Sequence, residues 1–541
     1  MSSTLLAAAT PALRRSARCT IVGGSIARAL AGELSLASWQ CTSGLNAVAA
    51  ADSVVYAPDF MPDLAEARRV FELCAASRVA HVVLVSSTAI YQPSEEHPGM
   101  VGESHPLPPE PRNSISRAWA EVEQLAAQAC AGSAAILRAA PVLVASGKDP
   151  FSRMLRRRVA ITLPGHDPSV QSIGPRELGC VVRAVLEKRA TGVFNVAPTG
   201  TVPLRVALRI AGVRRLPVPR TVLSLVRRGA ELDFLRFACT ASAGRAAEQF
   251  GFEAPPAVEV VQSFVRECGR PVGDCGMEPD PFGMDRQYIG NHGRALFRFL
   301  HDVYWRIDER GLANIPRTGA AVMAGVHRGF MPYDGVMTLH TLASRTGRYP
   351  RFLIHPCLLK FPFLHDFMTK LGGVIACQEN ADYFLSRGEL VAVFPEGIRG
   401  AFTLYRDAYK VGRFGRDEYV RMALRHRVPI IPFVTVGSAE IYPIFARLEW
   451  KWWKRWTGWP YLPITATFPL IPLPLPSKWH TLYLEPVHVE REYGPEAAGD
   501  PLIVRSISAD IRRRMQVAID DLVRRRRHIF GGRILEPEAS Q

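Results

Sequence analysis

Short apolar runs that stop abruptly at a glycine or a polar residue, each followed by a stretch of helical periodicity, recur along this chain and constrain its fold more than any other feature. "CTIVGG", "SVVYAP", "AHVVLVSS" and "AAILRAAPVLV" stand before residue 270, and "GAAVMAGV", "GELVAVFPEG" and "VPIIPFVTVG" after residue 287. Runs of this kind, without polar alternation, read as strands buried on both faces. Their alternation with helices implies parallel α/β sheets. Between the two sets lies "GRPVGDCGMEPDPFGMDRQ", Gly269 to Gln287, rich in Gly, Pro and Asp and without apolar periodicity, which reads as a linker. A chain of 541 residues exceeds one ordinary domain. The expected organisation is an α/β domain over 16–270, a linker over 271–287 and a second α/β domain over 288–541. No internal repeat or low-complexity tract interrupts it.

Charge narrows the partners. The formal net charge is +16 and the isoelectric point about 9.6, which suits a phospholipid surface, a phosphorylated substrate or a nucleic acid. The basic residues follow no nucleic-acid reading motif, so no nucleic-acid partner is expected. Ten cysteines are scattered without a CxxC pair, and Cys268 and Cys275 are too isolated for a zinc site; a reduced, cytoplasmic setting is expected. In "MSSTLLAAATPALRRSARC" the apolar run is short and precedes its basic residues, unlike a signal peptide. No run of 18 or more apolar residues exists, so no spanning helix is expected.

In the first half "CTIVGGSIARALAGEL" outlines a strand, a glycine turn and a helix, the local form that brings a phosphate to a helix N-terminus, with Gly23 and Gly24 as candidate cofactor-binding residues. Ala27 stands where a third glycine would help, and no acidic residue closes a second strand for a ribose. The span between Gly24 and Val54 reads as too short for that second strand. "HVVLVSSTAIYQPS", "PRNSISRAWAEVEQLA" and "TGVFNVAP" resemble the extended short-chain dehydrogenase/reductase family of nucleotide-sugar epimerases, over roughly residues 18–268. The resemblance implies a Rossmann-like parallel sheet and an NAD(P) cofactor. It also implies a catalytic Tyr and Lys, at positions held here by Ile115 and Trp119, with Ser87 or Thr88 as the hydroxyl residue. Ile exchanges no proton and Trp lowers no phenol pKa. The expectation is a degenerate domain kept for binding, stability or regulation; the alternative is a sensor that binds NAD(P) without turning it over.

In the second half His327 ends the strand "GAAVMAGV", where ligands sit in open α/β sheets, and six residues separate it from Asp334. "GELVAVFPEGIRG" repeats the plan with Glu396, Gly397 and Arg399, and "VPIIPFVTVG" forms a third strand followed by "SAEIYP". Three neighbouring strand ends would gather His327, Asp334, Glu396 and Arg399. "HRGFMPYD", "VFPEGIRG" and "VPIIPFVTVG" in this order resemble the lysophospholipid acyltransferase family. The longer His-to-Asp spacing with "MPYD" is similar to its diacylglycerol acyltransferase-like branch. The likeness runs from about Tyr288 to Phe530, although "GGVIACQEN" lacks the Arg that the family's second block usually offers.

That resemblance implies transfer of a fatty acyl group from an acyl-coenzyme A or acyl carrier protein thioester to a glycerolipid or lysophospholipid hydroxyl. Neither a metal nor a bound cofactor is needed. A neutral imidazole at His327 takes the hydroxyl proton, and Asp334 fixes its tautomer. Arg399 holds an anionic phosphate, and Glu396 with the Gly397 backbone shapes that pocket. Arg328 is either a further anion contact or a surface residue. Asp334 also reads as a cap for the helix "GVMTLHTLA".

"EWKWWKRWTGWPYLP" holds five tryptophans. On a helix Trp450, Trp452, Trp453 and Trp456 share one arc, and Lys451, Lys454 and Arg455 the other. That pattern fits an element lying in the lipid headgroup layer, or a helix whose Trp face packs on the core. "FPLIPLPLPSKW" lines an acyl channel or crosses the surface, since its prolines bar a span. Arg156–Arg158, Arg512–Arg514 and Arg524–Arg527 add attraction to anionic lipid or are solvated faces. The whole reads as an acyltransferase attached peripherally to the cytoplasmic face of a membrane. The alternatives are a bifunctional protein with an active oxidoreductase or epimerase half, and a non-catalytic lipid-binding scaffold.

Overall fold

The computed structural model describes residues 18–36, 39–147, 149–223, 229–276, 280–329, 331–361, 363–415, 417–467, 473–532 and 534–535. The chain divides into two compact units, Met1–Leu163 with Asp167–Pro281 and Pro164–His166 with Phe282–Gln541.

The first unit is built on six parallel strands, β1 (Arg18–Gly23), β2 (Gln40–Ser43), β3 (Ser53–Ala57), β4 (His81–Ser87), β5 (Ala134–Ala139) and β6 (Gly192–Val196), in the order β2-β1-β3-β4-β5-β6. Every residue of β3 and β4 is buried, which is why they read as unbroken apolar runs. Alternate residues serve opposite faces. Ile21, Val55 and Val83 pack with Leu30 of α1 (Ser25–Leu36) and Val182 of α5 (Pro175–Lys188). Val22, Val54 and Leu84 pack with Phe71 of α2 (Leu64–Ala76) and Val122 of α3 (Ser114–Ala129). The span judged too short for a second strand does contain one. β2 needs only four residues because it pairs at the sheet edge, on one side only.

The second unit carries a sheet of seven strands among the described residues: β7 (Asp308–Arg310), β8 (Ala321–Gly325), β9 (Arg351–Ile354), β10 (Gly373–Ile375), β11 (Leu390–Val393), β12 (Ile430–Val436) and β15 (His480–Tyr483). Their order is β7-β15-β12-β8-β11-β9-β10; the β12–β15 pairing is antiparallel and the others are parallel. A separate antiparallel ribbon joins β13 (Ile444–Leu448) to β14 (Leu462–Thr465). β8 is central and wholly buried, with Met323 facing one core and Val322 and Ala324 the other. Its register pairs Ala324 with Val393 and Gly325 with Phe433. The C-terminal ends of β8, β11 and β12 therefore lie side by side, and the turns that follow them meet.

The segment read as a linker is only partly one. Phe282 and Met284 pack into the second unit's cores, and Asp285 caps the helix Arg286–His292 by accepting from the Tyr288 amide at 2.8 Å. Two apolar side chains placed between prolines and glycines carry no periodicity, so their burial left no pattern. Among the described residues no helix is long and apolar enough to cross a membrane.

Candidate active site

His327 lies two residues beyond β8. Its ring faces Phe394, two residues before Glu396, with centroids 4.9 Å apart. Six residues on, α6 (Tyr333–Arg345) begins, and Asp334 sits in its first turn. His327 Nδ1 and Asp334 Oδ2 are 3.1 Å apart, with the imidazole 14% exposed and the carboxylate 0%. The Arg328 amide donates to the same Oδ2 at 2.9 Å. The positive end of the helix dipole favours a carboxylate here. Asp334 is not the helix cap: that place falls to Pro332, and the Asp334 side chain turns back to the histidine.

His327 forms part of the wall of a cavity of about 860 Å³ of empty space, counted to its open mouth. Phe352, Phe394, Phe402, Met368 and Trp459 line it, together with Gly397, and among the described residues no Lys or Arg lines it. The size lies in the range of pockets that enclose organic ligands. With Nδ1 against Asp334, Nε2 is the nitrogen left to act on a substrate.

Glu396 and Arg328 lie behind this wall. Arg328 is 2% exposed and Glu396 6%. The guanidinium meets the carboxylate as a fork, Nη1 to Oε2 and Nη2 to Oε1, the latter at 3.1 Å. Its remaining N–H groups go to the carbonyls of Ala408, His327 and Lys410, each at 2.7 Å. Gly412 N also donates to Glu396. All five N–H donors of Arg328 are thus committed, and the carboxylate is matched. Arg328, expected as either an anion contact or a surface residue, is neither, and Glu396, expected to shape a phosphate pocket, is turned away from the cavity: the two residues hold each other, and tie the His327 carbonyl to the turn after β11. Gly397, at φ +60, opens the short helix α7 (Gly397–Ala401) in the left-handed region that glycine tolerates. Arg399 is exposed on α7, outside this buried cluster. The third strand end carries a pair of its own, Glu440 with Arg526 at 2.6 Å, to which Tyr409 donates. Arg526 is therefore not a lipid-facing member of the Arg524–Arg527 group.

The Trp-rich segment divides. Its helix α8 (Lys451–Thr457) is seven residues long and starts after Trp450. Trp453 donates to the Tyr461 carbonyl at 3.1 Å, and Trp459 stacks edge-on against Phe402. Trp450 and Trp452 are 48% and 58% exposed. Adjacent residues on a helix point about 100° apart, and here Trp452 turns to solvent while Trp453 packs on the core. The Trp456 side chain and residues 468–472 of the Pro-rich segment lie outside the described residues.

In the first unit Gly23 and Gly24 make the turn between β1 and α1. Ile115 and Trp119, at the positions of the expected Tyr and Lys, are 1% and 2% exposed, and the indole donates to the Phe60 carbonyl at 3.1 Å. Nearby, Glu123 and Arg138 form a buried pair joined by Ser86 and Tyr91.

With this geometry in view, comparison with known proteins decides the family. Residues 306–436, which include His327, Asp334 and Glu396, match the acyltransferase family model. An uncharacterized protein of Mycobacterium tuberculosis is 36% identical over 281 residues, 51% of this chain and 76% of its own length. The chain belongs to one family with that protein, and its second unit is an acyltransferase domain. Human 2-acylglycerol O-acyltransferase 3 is similar at 22% identity over 249 residues, 40% of this chain and 72% of its own. Among solved structures, a human epimerase family protein with NADPH superimposes at a TM-score of 0.39 and 17% identity, covering 46% of this chain and 99% of that one.

Sequence reasoning missed the cavity walls of the acyltransferase domain. Phe352, Phe402 and Trp459 come from separate segments, and only the strand order brings them together. It also missed Asp59, whose carboxylate accepts from the Ser25 amide and hydroxyl at the start of α1. A carboxylate two residues past the strand that neighbours a glycine turn was the available signal.

Proposed function

We propose that the protein transfers a fatty acyl group from an acyl thioester, carried by coenzyme A or acyl carrier protein, to a hydroxyl of a glycerolipid at a membrane surface. The observation that carries this reading is His327, braced by the buried Asp334, in the wall of an apolar cavity. The acceptor hydroxyl attacks the thioester carbon while its proton passes to His327 Nε2. Asp334 holds the Nδ1–H tautomer and stabilises the imidazolium. As the tetrahedral intermediate collapses the C–S bond breaks, the ester forms, and the thiolate recovers the proton from the imidazolium. No covalent acyl-enzyme is required.

The apolar walls suit an acyl chain, and the lack of Lys and Arg among the described lining residues suits an uncharged acceptor. The similarity to a 2-acylglycerol O-acyltransferase supports an acylglycerol. Arg399, exposed beside Gly397, is the candidate contact for a phosphate of the acyl donor. Membrane attachment is supported by the ribbon and α8, where Phe445, Leu448, Trp450, Trp452 and Ile464 are exposed beside the exposed Lys451, Lys454 and Arg455.

The test is purified protein with oleoyl-coenzyme A and, in parallel, 2-oleoylglycerol, oleoyl-lysophosphatidate and oleyl alcohol, with products read by mass spectrometry. Diacylglycerol as the main product is expected. Thioester hydrolysis without acylation of any acceptor would overturn the proposal.

A further inference from the structure

The glycine turn of the first unit and its resemblance to nucleotide-sugar epimerases imply a dinucleotide, and the residues present do not fit one. A phosphate would lie against the Gly24 backbone at the N-terminus of α1. The Asp59 carboxylate lies there instead. A Cβ built on Gly24 would stand 2.3 Å from its Oδ2, and its Oδ1 accepts from the Ser25 amide at 2.8 Å and the Ser25 hydroxyl at 2.6 Å. The chain's own anion thus holds the helix N-terminus, and an arriving diphosphate would meet a negative charge. β2 ends in Ser43, with no carboxylate for a ribose. Trp119 and Ile115 are packed where a hydride-transfer site would need Tyr and Lys.

A second cavity, of about 840 Å³ of empty space, opens past the C-terminal ends of β4 and β5. Its walls are chiefly apolar, with Phe60, Phe151, Met154, Phe234 and Phe237 among them. Among the described residues that line it the charged ones are Asp149 and Glu231, and none is Lys or Arg. The Asp149 carboxyl caps α4 (Pro150–Arg156) by accepting from the Ser152 amide at 2.8 Å. The amide of Gln171, the other large polar group in the wall, is tied to the Ala241 backbone and the Gly200 carbonyl. An anionic ligand would meet these two carboxyl groups against apolar walls. We propose that the first unit binds an uncharged lipid in this cavity in place of a dinucleotide. This site is independent of acyl transfer by the second unit.

The experiment uses the full-length protein and counts bound 1-oleoylglycerol by equilibrium dialysis below its aggregation concentration. Ala401→Trp fills the second unit's cavity and leaves the first unit's site to be read alone. That variant should bind one molecule per chain. Adding Met154→Trp, or in a separate protein Val170→Trp, should abolish the binding while the thermal transitions persist. Oleate at pH 8 should bind at least tenfold more weakly than the monoacylglycerol, and 1 mM NADH or NADPH should neither bind nor compete. The proposal is overturned if Ala401→Trp protein binds no oleoylglycerol, if both filling variants keep the stoichiometry, if oleate binds as well, or if either dinucleotide binds saturably.

Discussion

Replacing Arg328 by Met tests how the active-site floor is held. The substitution keeps an unbranched apolar stem but removes the guanidinium and its five N–H donors. It strands the Glu396 carboxylate, itself 6% exposed, together with the carbonyls of Ala408, His327 and Lys410. Breaking a buried ion pair by removing one partner costs about 3–5 kcal/mol. At roughly 2–4 °C per kcal/mol for a domain of this size, the acyltransferase domain should melt about 6–20 °C lower in calorimetry. The double variant Arg328→Met, Glu396→Leu removes the stranded charge and should regain much of that loss, because two apolar groups need no partners. Arg328→Lys keeps the charge without the fork and should fall between. A shift under about 2 °C for Arg328→Met, or a double variant no more stable than the single one, would refute the reasoning.

Three further outcomes follow from the structure. Asp59→Ala removes the carboxylate that caps α1 and should cost about 1 kcal/mol, seen as a drop of roughly 2–4 °C in the first unit's transition; no drop would mean that the cap contributes nothing. His480 is 0% exposed, and burial pushes its pKa down to about 4 from the usual 6.5. The unfolded state therefore takes up this proton first, and the contribution is whole above pH 6.5 and lost as pH falls towards 4. His480→Asn should show a smaller fall in melting temperature between pH 7 and pH 4.5 than the parent protein; an equal fall would contradict the assignment. Phe445→Glu with Trp452→Glu removes about 1.5 kcal/mol of apolar burial per side chain, and should weaken partitioning onto phosphatidylglycerol vesicles on the order of a hundredfold in a sedimentation assay. Unchanged partitioning would place the membrane face elsewhere.

How far the site could be read before folding depended on whether its determinants were local. β8 and β11 are buried on both faces, so they appear as plain apolar runs, and polar residues just past such runs stand where parallel sheets gather ligands. That His327, Asp334 and Gly397 would gather past the ends of β8 and β11 was legible for that reason. Arg328 was not. It adjoins the histidine in sequence, yet its partner Glu396 is 68 residues away, and nothing local tells a side chain turned inward from one turned to solvent. The Trp-rich helix misled because its indoles were counted on one wide arc: Trp450 falls just outside the helix, and Trp452 and Trp453, about 100° apart, turn one to solvent and one to the core. Asp59 mimics the ligand that its neighbouring turn resembles a site for, and only the pairing of β1 with β3 brings the two together.

The central claim is that His327 Nε2 takes the proton of the attacking hydroxyl. The measurement that tests it most directly is thiol release from oleoyl-coenzyme A with 2-oleoylglycerol by the parent protein and by His327→Asn, each checked for an unchanged thermal transition. A base in this role contributes on the order of 10²–10⁴ in rate. A loss of that size is expected in the variant; acyl transfer within threefold of the parent protein would rule out His327 as the base.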